Sequence, residues 1–231
     1  MFNRIAPAYD LVNKIGSFGL DGYWRRRLVR RLQRTNASQV LDIACGTGIL
    51  SWMISQHLKI QVIGLDLAEN MLQIAEKRGK SYRQKGSAPI FVKGRAEQLP
   101  FDDGSFDAIT IAFGLRNFED RTAALREAFR TLRWGGHLFI LDFATPRNRL
   151  WRLFFRLYFL HILPLLGQML SGNREAYRYL PRSVATFPQY EALCGELSDA
   201  GFSDVLYRTY TGGVAVCYSG VRPFNQTRIC L

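Results

Sequence analysis

The chain has 231 residues, 48% of them apolar, which is enough for one α/β domain with a full core and excludes general disorder. Its formal net charge of +12 is local: residues 1–35 and residues 147–182 each carry a net +6, and the remainder is balanced. Four cysteines (Cys45, Cys194, Cys217, Cys230) fall in no paired or metal-ligand spacing, so reduced thiols and no metal site are expected.

In chain order, Met1-Phe2-Asn3-Arg4 leads into no apolar run, so an export signal is not expected and a cytoplasmic location is. Arg25-Arg26-Arg27, Arg30-Arg31 and Arg34 form a basic run, either a solvated face or a surface drawn to anionic lipid head groups. Val40–Ile43 reads as a strand, Ile49–Leu58 as a helix, Gln61–Leu65 as a strand and Asn70–Gln84 as a helix. Ile90–Val92 and Phe106–Phe113 are further strands, and Thr122–Leu132 is an amphipathic helix. Arg133-Trp134-Gly135-Gly136 predicts a turn into a strand at His137–Phe143. A last helix, Gln189–Ala200, ends at Gly201. Val205–Tyr210 and Val214–Tyr218, joined by Thr211-Gly212-Gly213, should pair antiparallel. Strands alternating with helices predict an α/β fold: a Rossmann-like, mostly parallel sheet with an antiparallel C-terminal hairpin. The whole of 1–231 reads as one domain, without repeats or linkers.

The chemistry begins at Val40-Leu41-Asp42-Ile43-Ala44-Cys45-Gly46-Thr47-Gly48. Strand, glycine turn and helix in that order open a nucleotide-binding unit, with Gly46 and Gly48 allowing the sharp turn and close ligand approach. A dinucleotide fingerprint would need a third glycine where Ser51 stands. The carboxylate of Asp42 would also repel a pyrophosphate. A cationic cofactor fits both features: S-adenosylmethionine carries positive charge on sulfur and on its α-amine. Asp66, at the end of the second strand, can accept hydrogen bonds from both hydroxyls of a ribose. The nonapeptide resembles the first motif of class I S-adenosylmethionine-dependent methyltransferases.

Two further stretches narrow the acceptor. Gly94-Arg95-Ala96-Glu97 follows the third strand and should border the cofactor cleft, since ligands sit at the carboxyl ends of parallel strands. Taken alone, Arg95 reads equally well as a surface arginine. Thr110-Ile111-Ala112-Phe113-Gly114-Leu115-Arg116-Asn117 places an arginine and an asparagine directly after a buried strand, where they are costly unless paired or used. With Phe2–Asp10 and Glu175-Ala176-Tyr177-Arg178-Tyr179-Leu180-Pro181, this octet resembles the ubiquinone/menaquinone biosynthesis C-methyltransferase family, from Phe2 to about Ser219.

That resemblance implies methylation of a ring carbon of a prenylated quinol, such as demethylmenaquinol, with a benzoquinol as the alternative. It implies donor contacts at Thr47, Asp66, Arg95 and Ala96, with Ala112 beside them, and an N-terminal lid containing Tyr9 and Asp10. Ala112 replaces a serine of some relatives and Cys45 a glycine, small departures within the motif. Carbon methylation needs support for a phenolate, a route for the ring proton and tight positioning. Arg116 suits phenolate stabilisation or activation of a water, Asn117 suits orientation of a ring oxygen or of the cofactor, and Tyr177 and His161 are further candidates for the proton path. A lone His161 in an apolar helix also reads as core.

Leu150–Leu170 is apolar and aromatic, but Arg152, Arg156, His161 and Pro164 argue against a membrane span. It reads as a core or dimer helix, or as an amphipathic helix at a lipid interface that admits a prenyl tail within a substrate-side insertion, 147–182. The expected partners are therefore the quinol and, peripherally, an anionic membrane, with a homo-oligomer left open. The fourth strand ends in neither an Asn-Pro-Pro-aromatic turn nor a Pro-Cys, so nucleic acid is not expected. Asp42, Gly46, Gly48 and Asp66 speak against a non-catalytic accessory protein.

Overall fold

The computed structural model describes residues 10, 14, 17–79, 87–158 and 182–224. The elements that position the site are α1 (Leu20–Leu32), β1 (Gln39–Ile43), α2 (Ile49–Leu58), β2 (Gln61–Asp66), α3 (Glu69–Arg78), β3 (Ile90–Lys93) and β4 (Phe106–Ala112). They continue with α4 (Arg121–Thr131), β5 (Leu132–Phe143), α5 (Arg149–Leu157), α6 (Glu191–Asp199), β6 (Ser203–Tyr210) and β7 (Ala215–Val221). Seven strands form one sheet in the order β3-β2-β1-β4-β5-β7-β6. The first five pair parallel, and β7 pairs antiparallel with both β5 and β6. The mostly parallel sheet and its C-terminal hairpin match the pattern read from the sequence.

Strand alternation divides the core into two layers. Leu41, Ile43, Ile109, Ile111, Leu138 and Ile140 point to one face, where Leu125 of α4 and Leu193 and Leu197 of α6 cover them. Val40, Ala108, Phe139 and Leu141 point to the other, beneath Trp24 and Leu28 of α1 and Leu50 and Ile54 of α2. Each helix therefore buries one stripe, and the sheet lies between two helical layers. At the amino ends of the central strands, the Asp107 carboxylate accepts the backbone N–H groups of Ser38 and Gln39, both at 2.9 Å, fixing β1 against β4.

Two local predictions need correction. The expected turn at Arg133–Gly136 is the bulged start of β5, with a register shift between Phe106 and Ala108 on its neighbour. Gly135 adopts φ 78°, donates to Arg222 O at 2.7 Å, and Gly136 O accepts from Arg222 N at 2.9 Å. These bonds continue the ladder to β7 where a turn would have ended it. The basic run of α1 is not one solvated face either. Arg26, Arg30 and Arg34 are exposed at helical spacing. Arg31 donates inward to Ser219 Oγ at 2.8 Å, and the Arg25 guanidinium lies 5.0 Å from the centre of the Phe113 ring.

Candidate active site

Parallel strands leave their carboxyl ends open for ligands where the strand order reverses, here between β1 and β4. A cleft of about 170 Å³ lies there. The glycine turn after β1 supplies Ala44 and Gly46, β2 ends in Asp66, the turn after β3 gives Arg95, Ala96 and Glu97, and β4 leads to Ala112, Phe113 and Asn117. Ala44 and Phe113 hold left-handed backbone, φ 54° and 61°, unusual for residues with a Cβ. A Cβ on Gly114 would lie 2.6 Å from that of Ala44, so glycine is what lets the two strand-end loops close on each other.

The chemistry of the cleft suits a cationic nucleoside. Gly46 has φ 55°, and a Cβ there would meet nothing within 4 Å, so the backbone faces open space. Asp66 Oδ2 accepts Gly46 N and Oδ1 accepts Ala68 N, both at 2.8 Å. A carboxylate has about four acceptor sites, so Asp66 keeps capacity for a ligand hydroxyl beyond these backbone bonds. Burial raises the Asp66 carboxyl above its ordinary range, against the pull of the Ala68 and Gly46 N–H groups. Leu65, Leu67, Met71 and Ala96 provide apolar walls, and Glu97 and Glu119 add negative charge at the rim. Arg95 reaches the cleft but is paired with Glu119 at 2.5 Å and Glu97 at 3.5 Å. Glu97 was expected at the cleft with its turn, whereas Glu119 and Asp142 were not singled out by sequence; only their position after β4 and within β5 could have pointed to them.

Not every residue read from the sequence reaches this cleft. Asp42, expected at the donor amine, belongs to the α1/α2 face because alternation from Val40 sends it there. It is 1% exposed, and its oxygens accept Ser51 Oγ at 2.6 Å and Thr110 Oγ1 at 2.7 Å. Thr47 is buried, its hydroxyl donating to Asp10 at 2.7 Å, and Asp10 also pairs with Arg78. Gly48 (φ 74°) packs under α3: a Cβ there would lie 2.8 Å from that of Ala75. Arg116, expected at the phenolate, is instead buried with Asp142. Its Nη1 donates to Asp142 Oδ1 at 2.5 Å and to Phe113 O at 2.8 Å, and the two side chains are 7% and 0% exposed. Burial pushes the Asp142 carboxyl up, and the Arg116 charge opposes it. Cys45 is held well above its ordinary value by burial and by the Asp42 and Asp66 carboxylates, so it is a protonated thiol and not a nucleophile. Tyr177, His161 and Tyr9 lie outside the described residues.

The switch-point cleft, the glycine turn and the antiparallel closing strands define a class I S-adenosylmethionine-dependent methyltransferase fold. Solved structures agree. A methyltransferase of that dependence from Thermotoga maritima superposes with a TM-score of 0.56 at 22% identity, covering 91% of this chain and 97% of its own. Phosphoethanolamine N-methyltransferase 2 of Haemonchus contortus, in complex with S-adenosyl-L-methionine, gives 0.61 at 16% identity, over 83% of this chain and 51% of that one. At such identities these likenesses establish the fold alone. The chain belongs to the ubiE/COQ5 methyltransferase family, whose model matches residues 1–222. A demethylmenaquinone methyltransferase of Thermus thermophilus is 46% identical over 96% of this chain and 100% of its own length. A ubiquinone/menaquinone biosynthesis C-methyltransferase of a Geobacter species is 39% identical over 96% and 94%. The protein is thus an S-adenosylmethionine-dependent methyltransferase.

Two outcomes follow from the buried groups. Removing one partner of a buried ion pair strands the other charge, so Arg116→Ala should cost about 3–5 kcal/mol in urea unfolding as well as activity. A loss below about 1 kcal/mol would return Arg116 to the acceptor. Asp42 is pushed up to about 6 from an ordinary 3.8, by burial first, against the Ser51 and Thr110 hydroxyls and Arg25. The folded state then binds this proton more tightly than the unfolded state, so Asp42's contribution to stability falls as pH rises between about 4 and 6 and stays low above it. Asp42→Asn should remove that decline, on the order of 3 kcal/mol by pH 7.5. Parallel stability–pH profiles for parent and variant would refute it.

Proposed function

We propose that this enzyme transfers the S-adenosylmethionine methyl group to a ring carbon of a prenylated quinol, a demethylmenaquinol or related naphthoquinol. The observation that carries it is the full-length match to a relative named demethylmenaquinone methyltransferase, 46% identical, together with a donor cleft whose far wall is aromatic. Benzoquinol is the second reading, favoured by the joint ubiquinone/menaquinone name of other relatives.

The donor, once bound, supplies an electrophilic methyl group on a sulfonium. The residues that would hold it are Asp66 at the ribose hydroxyls, Gly46 through its exposed backbone, and Arg95–Ala96 beside the adenine. Negative charge from Asp66, Glu97 and Glu119 favours a cation there. A quinol is nucleophilic at carbon once its hydroxyl has lost a proton, and the methyl group would pass to that carbon with the C–S bonding pair left on sulfur. The ring carbon then releases its proton to solvent or a base, restoring aromaticity. Asn117 lines the cleft, and we assign it the orientation of a ring oxygen. Arg116 acts as a positioning residue, since its guanidinium fixes Phe113 O and Asp142.

We also place the enzyme peripherally on anionic membrane. Among the described residues no helix is long and apolar enough to cross one. Instead Arg26 and Arg30 on α1, Arg34 in the turn that follows it, and Arg149 and Arg156 on α5 are exposed, the last two beside Leu150, Leu153, Phe154 and Leu157. Vesicle flotation should show binding to phosphatidylglycerol-rich vesicles that fades with salt; equal binding to neutral vesicles would contradict it.

Methyl transfer from labelled S-adenosylmethionine to a short-chain demethylmenaquinol tests the acceptor. The parent should label the ring carbon, and Asp66→Ala should weaken donor binding by about tenfold or more in calorimetry, on the scale of charged hydrogen bonds. Labelling of RNA in place of quinol, or no labelling with an intact donor site, would overturn the proposal.

A further inference from the structure

A second cavity, of about 470 Å³, lies between α1, α5 and the turn joining β6 to β7. Its size falls within the ~300–1,000 Å³ typical of small-molecule sites. Leu20 and Trp24 of α1, Phe143 of β5, Trp151 and Phe155 of α5, and Val214 after the turn supply most of its wall. The indole N–H groups and the Ser17 hydroxyl beside it are already engaged. Trp24 Nε1 donates to Thr211 Oγ1 at 2.9 Å, Trp151 Nε1 donates to Thr211 O at 3.1 Å, and Ser17 Oγ donates to Asp21 Oδ1 at 3.0 Å. A wall that has spent its donors internally is poorly suited to ordered water or a polar ligand, and well suited to hydrocarbon.

The position of the cavity says which hydrocarbon. Phe143 borders it, and the Phe143 ring centre lies 4.8 Å from that of Phe113, which borders the donor cleft. Trp24 completes the partition, 6.2 Å from Phe113 and 5.9 Å from Phe143. Donor cleft and apolar cavity therefore adjoin at this cluster of aromatic rings. At its other side the cavity is bordered by Phe154 and Leu157, 61% and 49% exposed, which continue into the outward stripe with Leu150 and Leu153. The occupant must be apolar, long enough to run from the protein surface to the partition, and joined there to the group that is methylated.

We propose that this cavity holds the isoprenoid tail of the acceptor, with the Trp24–Phe113–Phe143 partition setting where its ring stops beside the donor. The proposal rests on the quinol reading above. The site is specificity-determining: it selects acceptors by their tail, and of the residues that line the donor cleft it shares only Phe113, at the boundary.

The test compares 1,4-naphthoquinol, which has no tail, with a demethylmenaquinol carrying two isoprene units, in the full-length enzyme. Val214→Phe and Leu157→Trp both fill the cavity, one from the turn and one from the half-exposed face of α5. Each should raise the KM of the tailed acceptor relative to the tail-less one by about tenfold, given the area an isoprene unit buries. Farnesol should compete with the tailed acceptor and not with S-adenosylmethionine, and more weakly in both variants. Equal KM changes for the two acceptors, farnesol that does not inhibit, or variants that lower Tm while leaving the KM ratio alone would each overturn the tail site. A parent enzyme that methylates neither acceptor overturns the quinol reading itself, a result distinct from all of these.

Discussion

One buried carboxylate holds the switch point together. Asp42 leaves β1 on the face of α1 and α2 and accepts a hydroxyl from each of two other elements, Ser51 in the first turn of α2 and Thr110 in β4. Directly beyond it the chain turns through Gly46 and Gly48. An apolar residue there would pack without the desolvation that pushes this carboxyl up to about 6. What the acid adds is direction: it fixes the amino end of α2 against the two central strands and favours the helix dipole at that end. It also leaves negative charge beneath a turn whose ligand is a cation. The left-handed backbones of Ala44 and Phe113, φ 54° and 61°, are held on either side of it. Strain of this kind persists only where the surroundings over-determine it, and here the surroundings are the Asp42 bridge and the close approach of Gly114 to Ala44.

The second buried pair carries that order outward. Arg116 bonds both the carbonyl of Phe113 and the carboxylate of Asp142, whose Oδ1 also accepts Phe143 N at 2.8 Å. A single ion pair thus ties the backbone of one aromatic residue to that of the other, and the two rings meet at 4.8 Å. Such a pair contributes little net stability over an apolar replacement, because both charges lose their hydration. Its effect is geometric. It holds the loop after β4 and the end of β5 in one relation, and so it fixes the two rings at which the donor cleft and the apolar cavity adjoin.

Much of this was legible in the sequence, because strand alternation and glycine placement act locally. The helix at Ile49–Leu58 and the strands at the core of the sheet follow directly from period and turn residues. Asp66, Arg95, Ala96 and Ala112 reach the cleft because each ends a parallel strand or follows one. What was not legible depends on partners far away in the chain. The direction of Arg116 is set by Asp142, 26 positions on, and nothing in Phe-Gly-Leu-Arg-Asn encodes that choice. The split of the α1 arginines likewise depends on Ser219 for Arg31 and on the Phe113 ring for Arg25. Asp42 is the exception, since counting by twos from buried Val40 already sends it away from the cleft. The bulge at the start of β5 was hidden because Gly135-Gly136 serves a turn and a strained strand equally well.

The two ligands of the proposed reaction differ in every physical respect, and the fold accommodates both by keeping them apart until one point. A sulfonium nucleoside needs acids, backbone donors and access to water, which the cleft between β1 and β4 offers. An isoprenoid chain needs a wall without free polar groups, which α1 and α5 build on the other side of Phe113 and Phe143. The reacting atoms must nevertheless come within bonding distance. Aromatic rings are the one common side chain that suits both neighbours, because their faces attract a cation while their bodies pack against hydrocarbon and stack on a quinol ring. Among the described residues, the Trp24–Phe113–Phe143 cluster occupies the boundary where both demands apply. Its strained backbone at Phe113 and the ion pair behind it are the structural cost of holding that boundary still.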